Sequence, residues 1–490
     1  MKKTHKLRRS DLARIAVQAM LDRGLEPALP GAAVQQLAGI GGPGRDRDPR
    51  IRDLVALPWC SLDNDDSLDL DQLTACEVLT DGRIKLLVAV ADVDALVGKG
   101  TPIDRHAWTN TTSVYTSAVI FPMLPERLST DLTSLNPGKD RLAIVSEMIV
   151  NDDASITSAD VYRARVRNQA KLAYDAVSAW IDGSAPLPPA AQAVPGMDAQ
   201  LRDQDAVAQR LRERRHAQGA LEFETIQPRA VFEGERVVDI RQQAHNRARQ
   251  LIEELMIATN GCIARFLAAT GGASLRRVVR SPERWSRIVE VVRRHGDSLP
   301  EEADSRALEA FLARRRVADP LRFPDLSLVI VKLMGSGEYV VERGGSEPVG
   351  HFGLAVRDYA HSTAPNRRFP DLITLRLVKA ALTASPQPYD DKELVDLASH
   401  CTQQEDAAQK VERRMRKSEA ALLLESHVGQ VYEAIVTGRS ASDSWVRVFK
   451  PPVEGKLLGA GRDLDVGDTL HVRLVLADVE RGFIDFVRVD

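Results

Sequence analysis

The spacing of apolar and polar residues changes its period along the chain, and each change predicts a different kind of element. Leu12, Ile15, Ala16, Ala19 and Met20 recur at helical spacing behind Ser10 and Asp11, either of which can cap the turn, and the pattern ends near Gly24. A second short helix is expected from Ala32 to Leu37, so the first residues read as a helical hairpin that packs on the next domain. Residues 41–49, rich in Gly and Pro, then read as a linker.

Strand signals come next. Ile84 to Asp92 is a nearly unbroken run rich in β-branched residues and predicts a buried strand, with Arg141–Val150 and Ala159–Arg167 as alternating neighbours. Helical spacing then dominates, at Gln169–Ile181, Gln200–Ala217, His245–Leu267, Pro282–His295, Ser305–Val317, Asp371–Leu382 and Lys392–Glu425, with a Pro/Ala-rich linker at 184–195. From Val428 the period returns to two, in short strands separated by Gly438, Gly455, Gly459, Gly461, Gly467 and Gly482. That pattern predicts a small closed barrel of the OB type.

One stretch departs from all these patterns. Between Leu57 and Leu73 an apolar run breaks into Asp63, Asp65, Asp66, Asp69 and Asp71. Like charges this close repel, so a cluster that points inward needs a counter-charge, which hard divalent cations with oxygen ligands supply. If Leu68 to Leu73 is extended, Asp69 and Asp71 share a face, and Asp63 reaches the same ion across the polar turn 64–67. A solvated acidic turn is the plain alternative. An EF-hand is excluded, because its Gly and Glu positions hold Leu68 and Thr74.

Composition bounds the rest. With 490 residues, 44% of them hydrophobic, the chain can build more than one core. A net charge of -3 means that any affinity for nucleic acid must come from local basic patches. Cys60, Cys76, Cys262 and Cys401 form no CxxC pair, against a disulfide framework or a zinc site. No signal peptide or membrane span is apparent, so a monomer in a reducing cytoplasm is expected.

Two further groups carry chemistry. The segment from Gly350 to Asp371 reads as a loop in which Arg367 and Arg368 precede a helix that Asp371 can cap, and two guanidiniums there can grip phosphate or form structural ion pairs. In the barrel, Tyr432, Trp445, Arg447, Phe449 and Lys450 are available to stack on bases and meet phosphates, or the three rings are core.

Taken in order, these pieces resemble the ribonuclease II (RNB) family of exoribonucleases. The resemblance runs from about Asp53 to Ser426, followed by an S1-like barrel. It is carried by Ser61–Asp71, Val88–Asp94, Thr112–Tyr115, Phe121–Ser129, Ser134–Leu142, Ala170–Tyr174, Ile252–Met256, His351–Leu354 and Thr363–Asp371. It implies an α+β fold: a short helical region at 1–50, an RNB catalytic domain at 51–426 with a mixed sheet surrounded by helices, and an S1-like OB barrel at 427–490. The implied activity is processive 3′ to 5′ hydrolysis of single-stranded RNA to nucleoside 5′-monophosphates, with Mg²⁺, or Mn²⁺, as cofactor.

Residue by residue, the resemblance makes Asp63, Asp69, Asp71 and Gln72 the metal set, Gln72 standing where the family has a carboxylate. Tyr115 lies near the scissile phosphate and stacks on the terminal base, and Tyr174 is a second stacking residue. Arg367 grips the phosphate, Arg368 is a neighbouring RNA contact, Glu412 places the attacking water or the leaving group, and Glu253 or Glu254 contacts ribose. Trp445 and Phe449 are the barrel's RNA contacts. The alternative, prompted by Gln72, is a catalytically weakened relative that binds RNA 3′ ends. Family members typically carry two cold-shock barrels before the catalytic domain, and the residues before Asp53 are too few for one, so a short form is expected.

Overall fold

The structure, a computed structural model, describes residues 8–224, 228–242, 246–320, 322–439, 443–459, 464 and 467–489. The basic residues up to Leu7, the expected helix start at His245 and Gly461 lie outside the described residues. The strands are β1 Arg52–Asp53, β2 Cys60–Asp63, β3 Gln72–Val78, β4 Ile84–Ala91, β5 Val114–Tyr115, β6 Ile120–Phe121, β7 Asp140–Val150, β8 Ile156–Arg167 and β9 Ala170–Ala173, then β10 Pro228–Glu233, β11 Arg236–Gln242, β12 Ala273–Val278, β13 Glu338–Arg343, β14 Val431–Arg439, β15 Ser444–Val448, β16 Val453–Leu458, β17 Thr469–Asp478 and β18 Phe483–Arg488. The helices are α1 Arg9–Leu21, α2 Gly31–Gly39, α3 Pro102–Asn110, α4 Tyr174–Ile181, α5 Pro189–Gln192, α6 Met197–Ala217, α7 Arg247–Ala269, α8 Trp285–Arg294, α9 Ser305–Ala318, α10 Phe323–Met334, α11 Phe369–Thr383 and α12 Asp391–Leu424.

The main sheet has the order β1-β8-β7-β4-β3-β2-β9. Its centre is β4, buried on both faces, which is why its sequence is a continuous apolar run rather than an alternation. Parallel pairings of β1 with β8 and of β2 with β9 make the sheet mixed. Helices α4, α6, α7 and α11 bury Val177, Leu201, Leu255 and Leu375 against it in one large core. As the Gly-punctuated strands predict, β14-β15-β16-β18-β17 close into a barrel. Gly455 is required there, since a Cβ would meet the Phe486 ring at 2.5 Å and the Ile484 carbonyl oxygen at 2.6 Å.

Helix α12 joins the two regions. Leu394, Leu397 and Cys401 in its first half belong to the sheet's core, whereas Val411, Met415 and Leu424 in its second half share a core with the barrel and with α1. Arg447, which the sequence suggests as an RNA contact, is instead a tie. It is nearly buried and pairs with Asp325 of α10 at 2.9 Å, fixing the barrel to the helices.

Several local expectations change. Helices α1 and α2 form no hairpin, since α1 packs in the barrel's core and Ala33 of α2 in the sheet's. The helix expected from Gln169 begins at Tyr174, because residues 170–173 pair with β2 as β9. Likewise β3 begins only at Gln72, so the acidic stretch from Asn64 to Asp71 is a loop rather than an extended strand. Pro370 lies inside the first turn of α11, where its missing N–H costs nothing, and Asp371 sits one residue deeper instead of capping. The hairpins β5–β6 and β10–β11 and the antiparallel pair β12–β13, whose strands are separated by α8, α9 and α10, have no signal in the sequence pattern. Two are paired by residues too short in pattern or too distant in sequence to signal each other.

Candidate active site

The loop between β2 and β3 delivers the aspartates to one place. Asp63 ends β2, and its Oδ1 accepts the Asn64 N–H at 2.7 Å and the Ser67 hydroxyl at 2.8 Å, a tight polar turn that holds the loop closed. Asp69 Oδ2 accepts the Tyr115 hydroxyl at 3.2 Å. Asp71 is 2% exposed, and its two oxygens accept the Asn366 backbone N–H at 2.9 Å and Arg367 Nε at 3.3 Å. Asp65 and Asp66 point to solvent.

Burial dominates the electrostatics. It pushes the Asp71 carboxyl up to about 7, with Asp69 and Asp371 adding repulsion and Arg367 and the Asn366 N–H opposing them. Burial also raises Asp69, with the negative charge of Asp63 adding to it. The guanidinium of Arg367 reaches Asp71 while its side chain stays 47% exposed, so it faces the open side of the pocket as well. Among the described residues, His216, Glu222 and Glu309 bring three ligand atoms within 4.8 Å of one another. Glu222 of that trio pairs with Arg212 and Arg316, and Glu309 with His216, so it reads as an ion-pair cluster.

The other expected site residues divide clearly. Tyr115 lies on β5 with its backbone N–H bonded to Glu412 Oε1 at 3.1 Å. Glu412 is thus held by the β5–β6 hairpin, and burial raises its carboxyl above the ordinary range. Tyr174 opens α4, and the Arg249 guanidinium lies over its ring at 4.6 Å while also donating to Asn64 of the acidic loop at 2.7 Å. Arg368 pairs with Asp371 at 2.9 Å, and Asp371 also accepts the Ala364 N–H, so this arginine braces the loop that presents its neighbour.

Of the two glutamates, Glu254 is committed elsewhere: it is buried and forms a two-point ion pair with Arg215. Glu253 is exposed, one helical turn beyond Arg249 on the same face of α7. Gln72 is buried at the start of β3, in register with Val90. Among the described residues no hydrogen bond joins its side chain to the aspartates.

Trp445 lines a cavity of ≈ 590 Å³ between the barrel, α10 and α12, together with Arg413, Arg416 and Lys417. These cations follow Glu412 along α12, so the cavity adjoins the acidic pocket's own helix. Phe449 is 38% exposed and lies outside that cavity's lining, and Tyr432 packs edge-on against Phe486 in the barrel. Sequence reasoning missed Asn366 and Arg249, which hydrogen-bond to Asp71 and Asn64, and Glu419, which accepts from Ser117. The first lies inside the Thr363–Asp371 segment that carries part of the resemblance, while the other two have no local signal.

A mixed sheet with a buried carboxylate pocket at its edge, an arginine facing that pocket and an OB barrel on the same long helix define a two-region chain of a recognisable class. The chain belongs to the RNB family: an RNB domain model matches residues 51–384, and a model of the RNase II-type exonuclease C-terminal S1 domain matches 430–489. It is 30% identical over 494 residues to ribonuclease R of Escherichia coli (strain K12), covering 93% of this chain and 60% of that one. The chain thus spans about 60% of the length of the first curated relatives it matches. Mycoplasma genitalium RNase R, solved in complex with ribose methylated single-stranded RNA, superposes with a TM-score of 0.88 at 21% identity, covering 98% of this chain and 78% of that one. Yeast Ssd1, described as a pseudonuclease, superposes with a TM-score of 0.68 at 16% identity, covering 85% and 52%. The fold therefore accommodates both a nuclease and a pseudonuclease, and activity has to be read from the pocket.

Proposed function

We propose that this chain is a metal-assisted 3′ to 5′ exoribonuclease that shortens single-stranded RNA from its 3′ end and releases nucleoside 5′-monophosphates. The observation that carries the reading is the buried Asp71 bonded to a half-exposed Arg367 beside Asp63 and Asp69. Three carboxylates brought together with so little positive charge fit a divalent cation: the donors are hard oxygens, and burial and mutual repulsion raise Asp69 and Asp71 in its absence. Asp63, Asp69 and Asp71 would hold Mg²⁺ or Mn²⁺, with the neutral Gln72 offering at most a carbonyl oxygen. The bound cation supplies activation of water and neutralisation of charge growing on the phosphoryl oxygens.

The protein groups do the rest. Asp71 and the Asn366 N–H aim the Arg367 guanidinium at the phosphate beside the scissile bond, where its positive charge is worth most in a water-poor pocket. Asp69 orients the Tyr115 ring through its hydroxyl, and Arg249 backs the Tyr174 ring, so both rings are set for a terminal base to stack between or beside them. Stacking is tolerant of sequence but demands an unpaired strand. The exposed Glu253, on the Arg249 face of α7, is the better placed of the two glutamates for a ribose 2′-hydroxyl, a contact that would favour RNA over DNA. Arg413, Arg416, Lys417 and Trp445 offer phosphate contacts and a stacking surface on the way in, with Arg368 bracing the loop at the pocket itself.

The test is 5′-labelled single-stranded RNA incubated with purified protein and Mg²⁺ or Mn²⁺. Progressive shortening from the 3′ end supports the proposal, and RNA that is retarded but intact sinks it. The latter outcome favours the second reading, a 3′-end binding protein, for which Gln72 is the motivating residue.

A further inference from the structure

The β5–β6 hairpin has two-residue strands, too short to hold a conformation by their own pairing. Its geometry must come from what it packs on. Its buried residues Val114, Ala118 and Phe121 enter the core shared with α12, which fixes its depth but not the orientation of its turn. The turn is hydrogen-bonded from two sides: Arg9 Nε of α1 donates to the Ala118 carbonyl at 3.3 Å, and two carboxylates of α12 accept from its N–H groups. Glu412 accepts the Tyr115 N–H at 3.1 Å, and seven residues later Glu419 accepts the Ser117 N–H at 3.2 Å and the Ser117 hydroxyl at 3.0 Å. Seven residues are two helical turns, roughly 10 Å along one face, so the two carboxylates reach Tyr115, at the end of β5, and Ser117, in the bend that follows it. Thr116 closes the turn between them by donating to the Val119 carbonyl at 2.6 Å.

Glu419 is 2% exposed. A carboxylate so buried is costly, and an apolar residue would serve packing better. What an apolar residue cannot do is hold a backbone N–H and a hydroxyl at a fixed angle. The same ring that this clamp orients ends with its hydroxyl on Asp69 of the acidic loop.

We propose that Glu419 is a positioning residue: by fixing the Ser117 turn to α12 it sets the Tyr115 ring where a terminal base stacks on it. This rests on the role given to Tyr115 under the proposed function. Glu419 acts on the ring through the Ser117 turn and not at the reacting phosphate.

The experiment uses the full chain, EDTA to prevent hydrolysis, and a 2′-O-methylated oligoribonucleotide carrying a 5′ dye and a 3′-terminal 2-aminopurine. Dye anisotropy reports binding, and quenching of the 2-aminopurine reports stacking. Glu419→Ala is expected to bind within about twofold of wild type yet lose at least half of the quenching, whereas Glu419→Gln, which keeps one acceptor oxygen, recovers most of it. Tyr115→Ala and the double variant Tyr115→Ala/Glu419→Ala should quench alike, because the glutamate acts through the ring. In single-turnover hydrolysis the Glu419→Ala loss should fall on the rate at saturation, about tenfold, rather than on the RNA concentration required.

Should Glu419→Ala fail to fold, Ser117→Ala deletes only the hydroxyl contact and should lower quenching in the same direction. Full quenching by a folded Glu419→Ala or, where that variant does not fold, by Ser117→Ala, or a double variant that loses more than Tyr115→Ala alone, overturns the inference. Wild type that does not bind the oligomer overturns the exoribonuclease reading beneath it.

Discussion

Two Asp-x-Asp pairs sit side by side at one end of the β3–β4 pair, and they have opposite electrostatic fates. Asp92 and Asp94 follow β4, and Lys379 reaches both at 2.8 Å. Arg376 bonds Asp94 at 2.8 Å and Asp104 at 2.7 Å, and Arg163 approaches Asp92 at 3.4 Å. Although burial would raise the Asp94 carboxyl, Lys379 and Arg376 outweigh it and hold the group below its ordinary value. Asp69 and Asp71 precede β3 beside Asp63, and among the described residues one ion pair reaches the three, from Arg367 to Asp71. There burial prevails and both carboxyls rise. A balanced cluster is a structural joint between α11 and the sheet. An under-balanced one is a site that needs a cation to be stable in its charged form.

The sharpest way to break this contrast is Asp71→Asn. It removes a proposed metal ligand and the carboxylate that aims Arg367, so RNA hydrolysis should fall on the order of 10³-fold, about 4 kcal/mol of transition-state stabilisation. Without a cation its thermal midpoint should equal or exceed that of wild type, because an uncompensated buried charge has gone. Added Mg²⁺ should raise the midpoint of wild type and not that of the variant, by mass action. A variant that keeps a tenth of the wild-type rate would show that Asp71 is not part of the machinery.

In the balanced cluster the prediction reverses. Lys379→Met leaves Asp92 and Asp94 buried with fewer partners, and breaking such a pair costs roughly 3 kcal/mol, taken at the low end because Asp94 and Lys379 are partly solvated. Its thermal midpoint should drop clearly below that of wild type while Asp71→Asn does not. Equal midpoints for the two variants would erase the distinction between joint and site.

This distinction was not legible in the amino-acid sequence, where Asp69-Leu-Asp71 and Asp92-Val-Asp94 are the same pattern. Only the fold brings Lys379 and Arg376, nearly 300 residues away, to one pair and not to the other. What could be read was local: the apolar run of β4, the alternation of β7 and β8, the barrel's Gly-punctuated strands, and the family pattern that singled out Asp63, Asp69, Asp71 and Arg367. What could not be read depended on partners distant in sequence. Residues 170–173 look helical until β2 claims them, Arg447 looks like an RNA contact until Asp325 takes it, and Glu254 looks like a ribose contact until Arg215 does. Nothing local marks Glu419 or Arg249, whose partners Ser117 and Asn64 lie 302 and 185 residues away.

Gln72→Asp would sharpen the contrast from the other side by adding a carboxylate next to the under-balanced set. The Mg²⁺ concentration needed for half-maximal hydrolysis should fall several-fold, about 1 kcal/mol of added cation affinity. An unchanged requirement would mean that the side chain at this position points away from the aspartates and that the metal set is complete without it.

The smallest effect expected is an acid-side difference between wild type and Lys379→Met. The Asp94 carboxyl is held below its ordinary 3.8 in the fold, so near and below that value the unfolded chain binds the proton that the folded chain does not. Its contribution to stability is therefore present above 3.8 and is lost as pH falls through the lower folded value. Removing Lys379 takes away the largest opposing charge, raises the folded value toward the ordinary one and shrinks that contribution. Followed from about pH 5 to about pH 3, the thermal midpoint of Lys379→Met should start lower than that of wild type and fall less steeply, so that the two curves converge. Parallel curves would mean that the Lys379 charge does not hold the Asp94 carboxyl down, and the electrostatic contrast between the two aspartate pairs would then rest on Arg376 and Arg163.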